Sequence, residues 1–220
     1  MKHKLWRKLG ISLVSPRFHG QILYKRLASS LCSPYLFYNL KSWFFLSTML
    51  GVVALTNAWV TFLLVWVVPL TILYQISATL RLCAEHIFPD DQTTPTRNKS
   101  DYARLTTGIF LGESPPEVEG KSLESFYKLS WWWLKMIFFH FLFCRVFVMV
   151  GDTPGHDFHH RYPTSKDWPN AIFARQQDLE QGCPGWKEDY QEVWGLFQAI
   201  DLTFDSIIRF QKANSLTKNS

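Results

Sequence analysis

The first 84 residues contain neither aspartate nor glutamate, and from Ser42 to Leu80 lysine, arginine and histidine are missing as well. A buried helix pair in a soluble chain of this size rarely lacks charge so completely, so the gap points to membrane insertion. Cysteine is sparse: Cys32, Cys83, Cys144 and Cys183 are far apart and form no CxxC pair, which indicates neither a zinc module nor a disulfide framework. Reduced thiols suit the cytosolic side. No P-loop, GxGxxG or GxSxG occurs, so nucleotide-binding and serine-hydrolase readings find no support. There is no internal repeat, and no small-residue cleavage site follows the apolar run, so a secretory signal is not expected.

The uncharged run from Ser42 to Leu80 is about twice the length that one spanning helix needs, which predicts a helical hairpin. Asn57 is placed to turn the chain between a first helix over Ser42 to Thr56, short for a full crossing, and a second over Trp59 to Leu80. Pro69 falls inside the second helix, where a local kink is expected. Before Ser42 stand Lys2, Lys4, Arg7, Lys8, Arg17, Lys25, Arg26 and Lys41. Such a positive flank stays in the cytoplasm, and a hairpin returns its exit to the same side. Both termini and everything after Leu80 are therefore expected to be cytoplasmic, with the basic arm on anionic lipid. Membrane contact then accounts for a pI near 9.0 better than nucleic acid does, and no nucleic-acid partner is expected.

Residues 156 to 160 read His-Asp-Phe-His-His, followed by Pro163. In a helix, positions i, i+3 and i+4 share a face, so His156, His159 and His160 could converge on a metal. Neutral imidazole is the commonest metal ligand, although a loop of solvated histidines remains the alternative. His86, at the exit of the second helix, reads as an interfacial residue unless another part of the chain requires it. Pro89 to Asp101 and Gly112 to Gly120 read as loops. Leu123 to Val150 is apolar and aromatic, with Trp131, Trp132 and Trp133 near its start and Lys135, His140 and Arg145 within. That mixture predicts an interfacial helix, with a short third crossing as the alternative and His140 packed inside. Tyr162 to Gly185 is loop-like. From about Lys187, Tyr190, Val193, Trp194, Phe197, Ile200, Phe204, Ile207 and Ile208 mark a helix that frays after Asn214. The expected fold is all-α: a basic cytosolic segment (1–41), a transmembrane hairpin (42–80), a cytosolic and interfacial region with the histidines (81–163) and a C-terminal helical region (164–220).

This order, a membrane hairpin, Ala-Glu-His86 at its exit, an aromatic interfacial stretch and Gly155-His-Asp-Phe-His-His-Arg-Tyr-Pro163, resembles the membrane-bound fatty acid desaturase and hydroxylase superfamily over Ser42 to Pro163. The pentad is similar to the third histidine box of those enzymes, and Glu85-His86 to a further ligand found between their second and third boxes. The resemblance implies an O2-dependent membrane oxidoreductase acting on an acyl lipid or acyl-carrier substrate. It also implies a pair of irons with His86, His156, His159 and His160 among their ligands, and an electron donor such as ferredoxin or a cytochrome. A hydrocarbon C–H bond has no polar handle, so nitrogen-ligated iron with open positions suits that task. Outside the pentad no HxxxH or HxxHH occurs to serve as the first and second boxes, and upstream of the hairpin stand only His3 and His19. Two readings follow: an N-terminally incomplete oxidoreductase completed by an upstream segment or chain, or a noncatalytic membrane remnant holding at most one metal.

Overall fold

The computed structural model describes residues 1–87, 103–118, 120, 122–151 and 153–217. The loop expected over Pro89 to Asp101 lies outside them. The chain forms two compact units, His3–Thr79 and Leu80–Ser220 with Met1–Lys2. It is mostly helical, and among the described residues three helices are long and apolar enough to cross a membrane, which suggests membrane association.

In the first unit, α1 (Lys2–Val14) leads into α2 (Pro16–Leu31), whose start is fixed by Pro16 at its first position and by the Ser15 hydroxyl accepting the Phe18 N–H. Asn39 then closes the link to α3 (Leu36–Leu55), its side chain bonding both the N–H and the carbonyl of Ser33 at 2.8 Å. This helix starts six residues before the expected Ser42. Lys41 lies inside it, with its ammonium 4.4 Å from the centre of the Phe37 ring, so a charge at a helix end is tolerated by reaching along the surface. Twenty residues give about 30 Å, enough for a full crossing. Asn57 makes the turn in a left-handed conformation (φ 51°).

Helix α4 (Trp59–Glu85) relaxes into π-helical register over Leu63–Val67 and Pro69–Leu73. Pro69 has no N–H to give, and the wider turn absorbs the mismatch instead of a break. Near its polar end the Gln75 Oε1 meets His19 Nδ1 at 2.8 Å, while His19 Nε2 meets the Leu13 carbonyl at 2.8 Å, so His19 pins α2 to α4.

The second unit begins at Leu80, within the last turns of α4. Strand β1 (Gly108–Phe110) pairs in parallel with β2 (Glu192–Trp194), a small sheet that an all-α reading omits. Helix α5 (Leu123–Val148) is π-helical from Lys135 onward and is the third helix of spanning length, where an interfacial helix was expected. Its polar residues face its own unit: Lys135 pairs with Glu113, the buried His140 faces the same carboxylate, and Arg145 turns to the carbonyls of Met149 and Gly151. Short α6 (His156–Arg161) carries the pentad.

Two expectations fail downstream. Tyr162 to Gly185 is not all loop, because α7 spans Ala171–Glu180. The last helix, α8 (Leu196–Thr217), begins not at Lys187 but after Gly195, whose φ of 90° breaks any helix running through it. Its Leu196, Ala199, Ile200 and Phe204 fill the core of the unit together with Ile109, Cys144, Val148 and Met149.

Candidate metal centre

Helix α6 is only six residues long and owes its position to the side it buries: Asp157, Phe158 and Arg161. Phe158 packs with Ala171, Cys183 and Tyr190. Asp157, 1% exposed, takes a fork from Arg175, with Nε at 2.9 Å from Oδ1 and Nη2 at 3.0 Å from Oδ2, and also accepts the Phe158 N–H at 2.8 Å. The third guanidinium nitrogen of Arg175 reaches Glu192 on β2 at 2.8 Å. Two parallel charge-assisted bonds fix orientation as well as distance, so this pair sets the rotation of α6 about its axis. Gly108 lets β1 close over the pair: a Cβ there would stand 2.9 Å from Asp157 Oδ2 and 2.9 Å from the Pro154 carbonyl. Burial raises the Asp157 carboxyl above the usual range, with the bidentate Arg175 pulling it the other way. Beside it, Asp178 accepts the hydroxyls of Tyr162 and Tyr190 at 2.8 and 2.7 Å.

With that face inward, the histidines point the other way. Successive helical residues are about 100° apart, so His160 lies about 40° to one side of His156 and His159 about 60° to the other. The two therefore part company. His160 turns to His86, ring centres 5.1 Å apart, and His156 lies 5.2 Å from His86 and 4.8 Å from His160. One ligand atom from each of His86, His156 and His160 falls within 4.8 Å of the others, an arrangement that could hold a metal ion. His159 leaves the group and stands against Trp168, ring centres 3.6 Å apart. Three of the four candidate ligands are thus brought together, from segments 70 positions apart in sequence. Of the other histidines, His140 is packed inside as expected, and His19 is held by Gln75 and Leu13.

His86 sits in a rigid frame: it forms an antiparallel bridge with Thr106, its carbonyl accepts the Thr203 hydroxyl at 3.2 Å, and Ile87 donates to the Leu105 carbonyl at 2.8 Å. The neighbouring Glu85 side chain pairs with Arg81 at 2.6 Å instead of joining the imidazoles.

The donor set fits a divalent transition metal. Among the described residues the buried His156 Nε2 has no hydrogen-bond partner, and in the tautomer protonated at Nδ1 it offers a lone pair that a bound ion would satisfy. Imidazole nitrogens on one ion stand about 3 Å apart when each bond is about 2.0–2.1 Å. All four histidines are held below their ordinary value near 6.5: His156 to about 3, by burial first and then by His160, His86, His159 and Arg81; His160 to about 4, by burial and then by His86 and His159; His86 and His159 by burial. They are neutral at pH 7, as metal ligands must be.

Lowered values in the folded chain mean that the unfolded chain binds more protons as pH falls past about 6.5, so their contribution to stability is present above that pH and is lost on acidification. In detergent and without metal, the second unit is expected to lose about 1.4 kcal/mol per pH unit for each proton taken up on unfolding between pH 6 and 5. Tryptophan-fluorescence melts from pH 8 to 5 measure this, and a His156→Ala, His160→Ala double variant should show a shallower slope. Equal slopes would contradict the neutral, buried assignment.

The residues that orient the site, Asp157, Arg175, Asp178 and Tyr190, were not legible as such in the sequence. Only Asp157, set inside the pentad, carried a local signal. Comparisons with known protein families, with characterised proteins and with solved structures find no match for this chain.

Proposed function

We propose that this chain is a membrane metalloprotein with one three-imidazole centre at the cytoplasmic surface, the C-terminal metal-binding part of an oxidoreductase of the fatty acid desaturase and hydroxylase type. The observation that carries this reading is the convergence of His86, His156 and His160, neutral and with an unsatisfied buried nitrogen, at the end of a long apolar helix. The positive segment before the hairpin supports cytoplasmic termini. Helix α5 is read as interfacial: Glu113 and Phe197, the latter stacked on Phe139 with centres 5.0 Å apart, cover one side of it with its own unit, where a freely crossing helix would meet hydrocarbon.

Bound iron would supply the oxygen-activating chemistry that an unactivated acyl chain requires. The chain's own residues hold it: His86, His156 and His160 as ligands, Asp157 and Arg175 as the braces of α6. Three imidazoles fill part of one coordination sphere, so a two-iron centre needs further ligands from outside this sequence, and an electron donor such as ferredoxin or a cytochrome. The second reading, a noncatalytic protein with a single metal, is favoured by the turn of His159 towards Trp168.

The full chain, produced with ferrous iron, a reductase system and mixed acyl lipids, is expected to bind about one metal ion and to form no new double bond or hydroxyl detectable by mass spectrometry. Co-production with a membrane segment carrying HxxxH and HxxHH is expected to raise metal content and yield oxidised acyl chains. One bound metal with no product under either condition would favour the noncatalytic reading. No metal under either would overturn both.

A further inference from the structure

Two adjoining hollows lie beside the pentad helix, of about 260 and 240 Å³, and they share Arg145, Gly151 and Ile172. Their walls are apolar: Leu111, Phe141 and Ile172 in one, Trp168, Ile172 and Phe173 in the other. Phe141 on α5 and Ile172 and Phe173 on α7 are 67%, 50% and 77% exposed. A larger hollow of about 630 Å³, which shares Asn170 and Phe173 with the one of about 260 Å³, is more polar, with Asp167, Gln177, Asp178 and Gln181 in its lining.

Arg145 is the cation of the apolar pair. It is exposed, stands one turn before the end of α5, and is steadied by Nη1, which donates to the carbonyls of Met149 and Gly151. A guanidinium so held presents its remaining N–H groups as a planar fork, the geometry that matches a phosphate, and basic side chains near the end of a membrane-embedded helix sit at phosphate depth. A cation at the rim with apolar walls beneath is complementary to a lipid with a phosphate headgroup. Trp168, which lines one hollow, also carries His159 on its ring, so the groove reaches the pentad helix.

We infer that this groove seats a glycerophospholipid, its phosphate on Arg145 and the first part of an acyl chain between Phe141 and Ile172. Resting on the lipid-oxidoreductase reading above, this makes the substrate an acyl chain esterified in a membrane phospholipid instead of one carried on a soluble thioester.

The test uses the full chain in detergent, without added metal, so that lipid binding is read independently of the centre. Dioleoylphosphatidylglycerol, dioleoylglycerol and inorganic phosphate are titrated and followed by native mass spectrometry. The phospholipid is expected to bind about tenfold more tightly than the diacylglycerol, and Arg145→Gln to remove that difference while leaving diacylglycerol binding unchanged; tenfold corresponds to about 1.4 kcal/mol, within the range of a charge-assisted bond. Arg145→Lys, which keeps the charge, is expected to retain most of the preference. A photoactivatable phosphatidylglycerol should label the unmodified chain at Phe141, Ile172 or Phe173, a result that does not depend on any variant folding. Equal binding of the two lipids, competition by inorganic phosphate at equal concentration, or labelling confined to α3 and α4 would each overturn the inference. The metal content of Arg145→Gln should equal that of the parent, so a failure of lipid binding and a failure of the metal reading are told apart.

Discussion

Arg175→Ala is expected to lower the stability of the second unit by about 3–5 kcal/mol, the usual consequence of leaving one partner of a buried ion pair uncompensated. Arg175 is 3% exposed and supplies both bonds of the fork to Asp157 and a third to Glu192, so its loss strands a buried carboxylate and unties β2 in one step. Asp157→Asn is milder, because the amide still accepts one guanidinium bond and leaves no buried negative charge, but it loses the fork that sets the rotation of α6. Its metal affinity is expected to fall about 10- to 100-fold, as for other residues that orient ligands. Urea unfolding in detergent, followed by tryptophan fluorescence, measures the first effect, and metal titration the second. An Arg175→Ala protein as stable as its parent would show that the pair does not hold the helix.

His86→Ala and His160→Ala are each expected to reduce metal affinity by at least about 100-fold, and His159→Ala by no more than about threefold, as expected when only the first two supply ligand atoms. The contrast within one pentad is informative because His159 and His160 are adjacent and point in different directions: one ring against Trp168, the other against His86. Metal-competition titrations on the three purified variants separate them. A His159→Ala loss as large as that of His160→Ala would mean that the Trp168 contact gives way on loading and that all four histidines bind.

Much of the long apolar helical part could be read from residue order. Asn57 turns the chain and Pro69 disturbs the second helix without ending it, because an apolar run has few other places to put a polar residue or a missing N–H. The start of α3 was misplaced at the last charge, since a lysine that reaches along a ring to water does not end a helix. The metal site was legible as a list of histidines but not as a geometry: helical spacing allows three on one face, while the choice between His159 and His160 depends on where Trp168 and His86 lie. Helix α7 escaped notice because its buried positions are Ala171, Arg175 and Asp178, a polar stripe where periodicity arguments look for an apolar one. The two three-residue strands are set by main-chain register, Gly108 opposite Glu192, and leave no side-chain alternation long enough to detect.

X-ray absorption at the metal edge of the iron-loaded full chain, with His86→Ala measured beside it, tests the three-imidazole centre most directly. The parent should show about three imidazole nitrogens at roughly 2.0–2.1 Å, and the His86→Ala protein, at the same loading, about two. A first shell of oxygen alone, or a spectrum unchanged by the loss of His86, would contradict the assignment of His86, His156 and His160 to one ion.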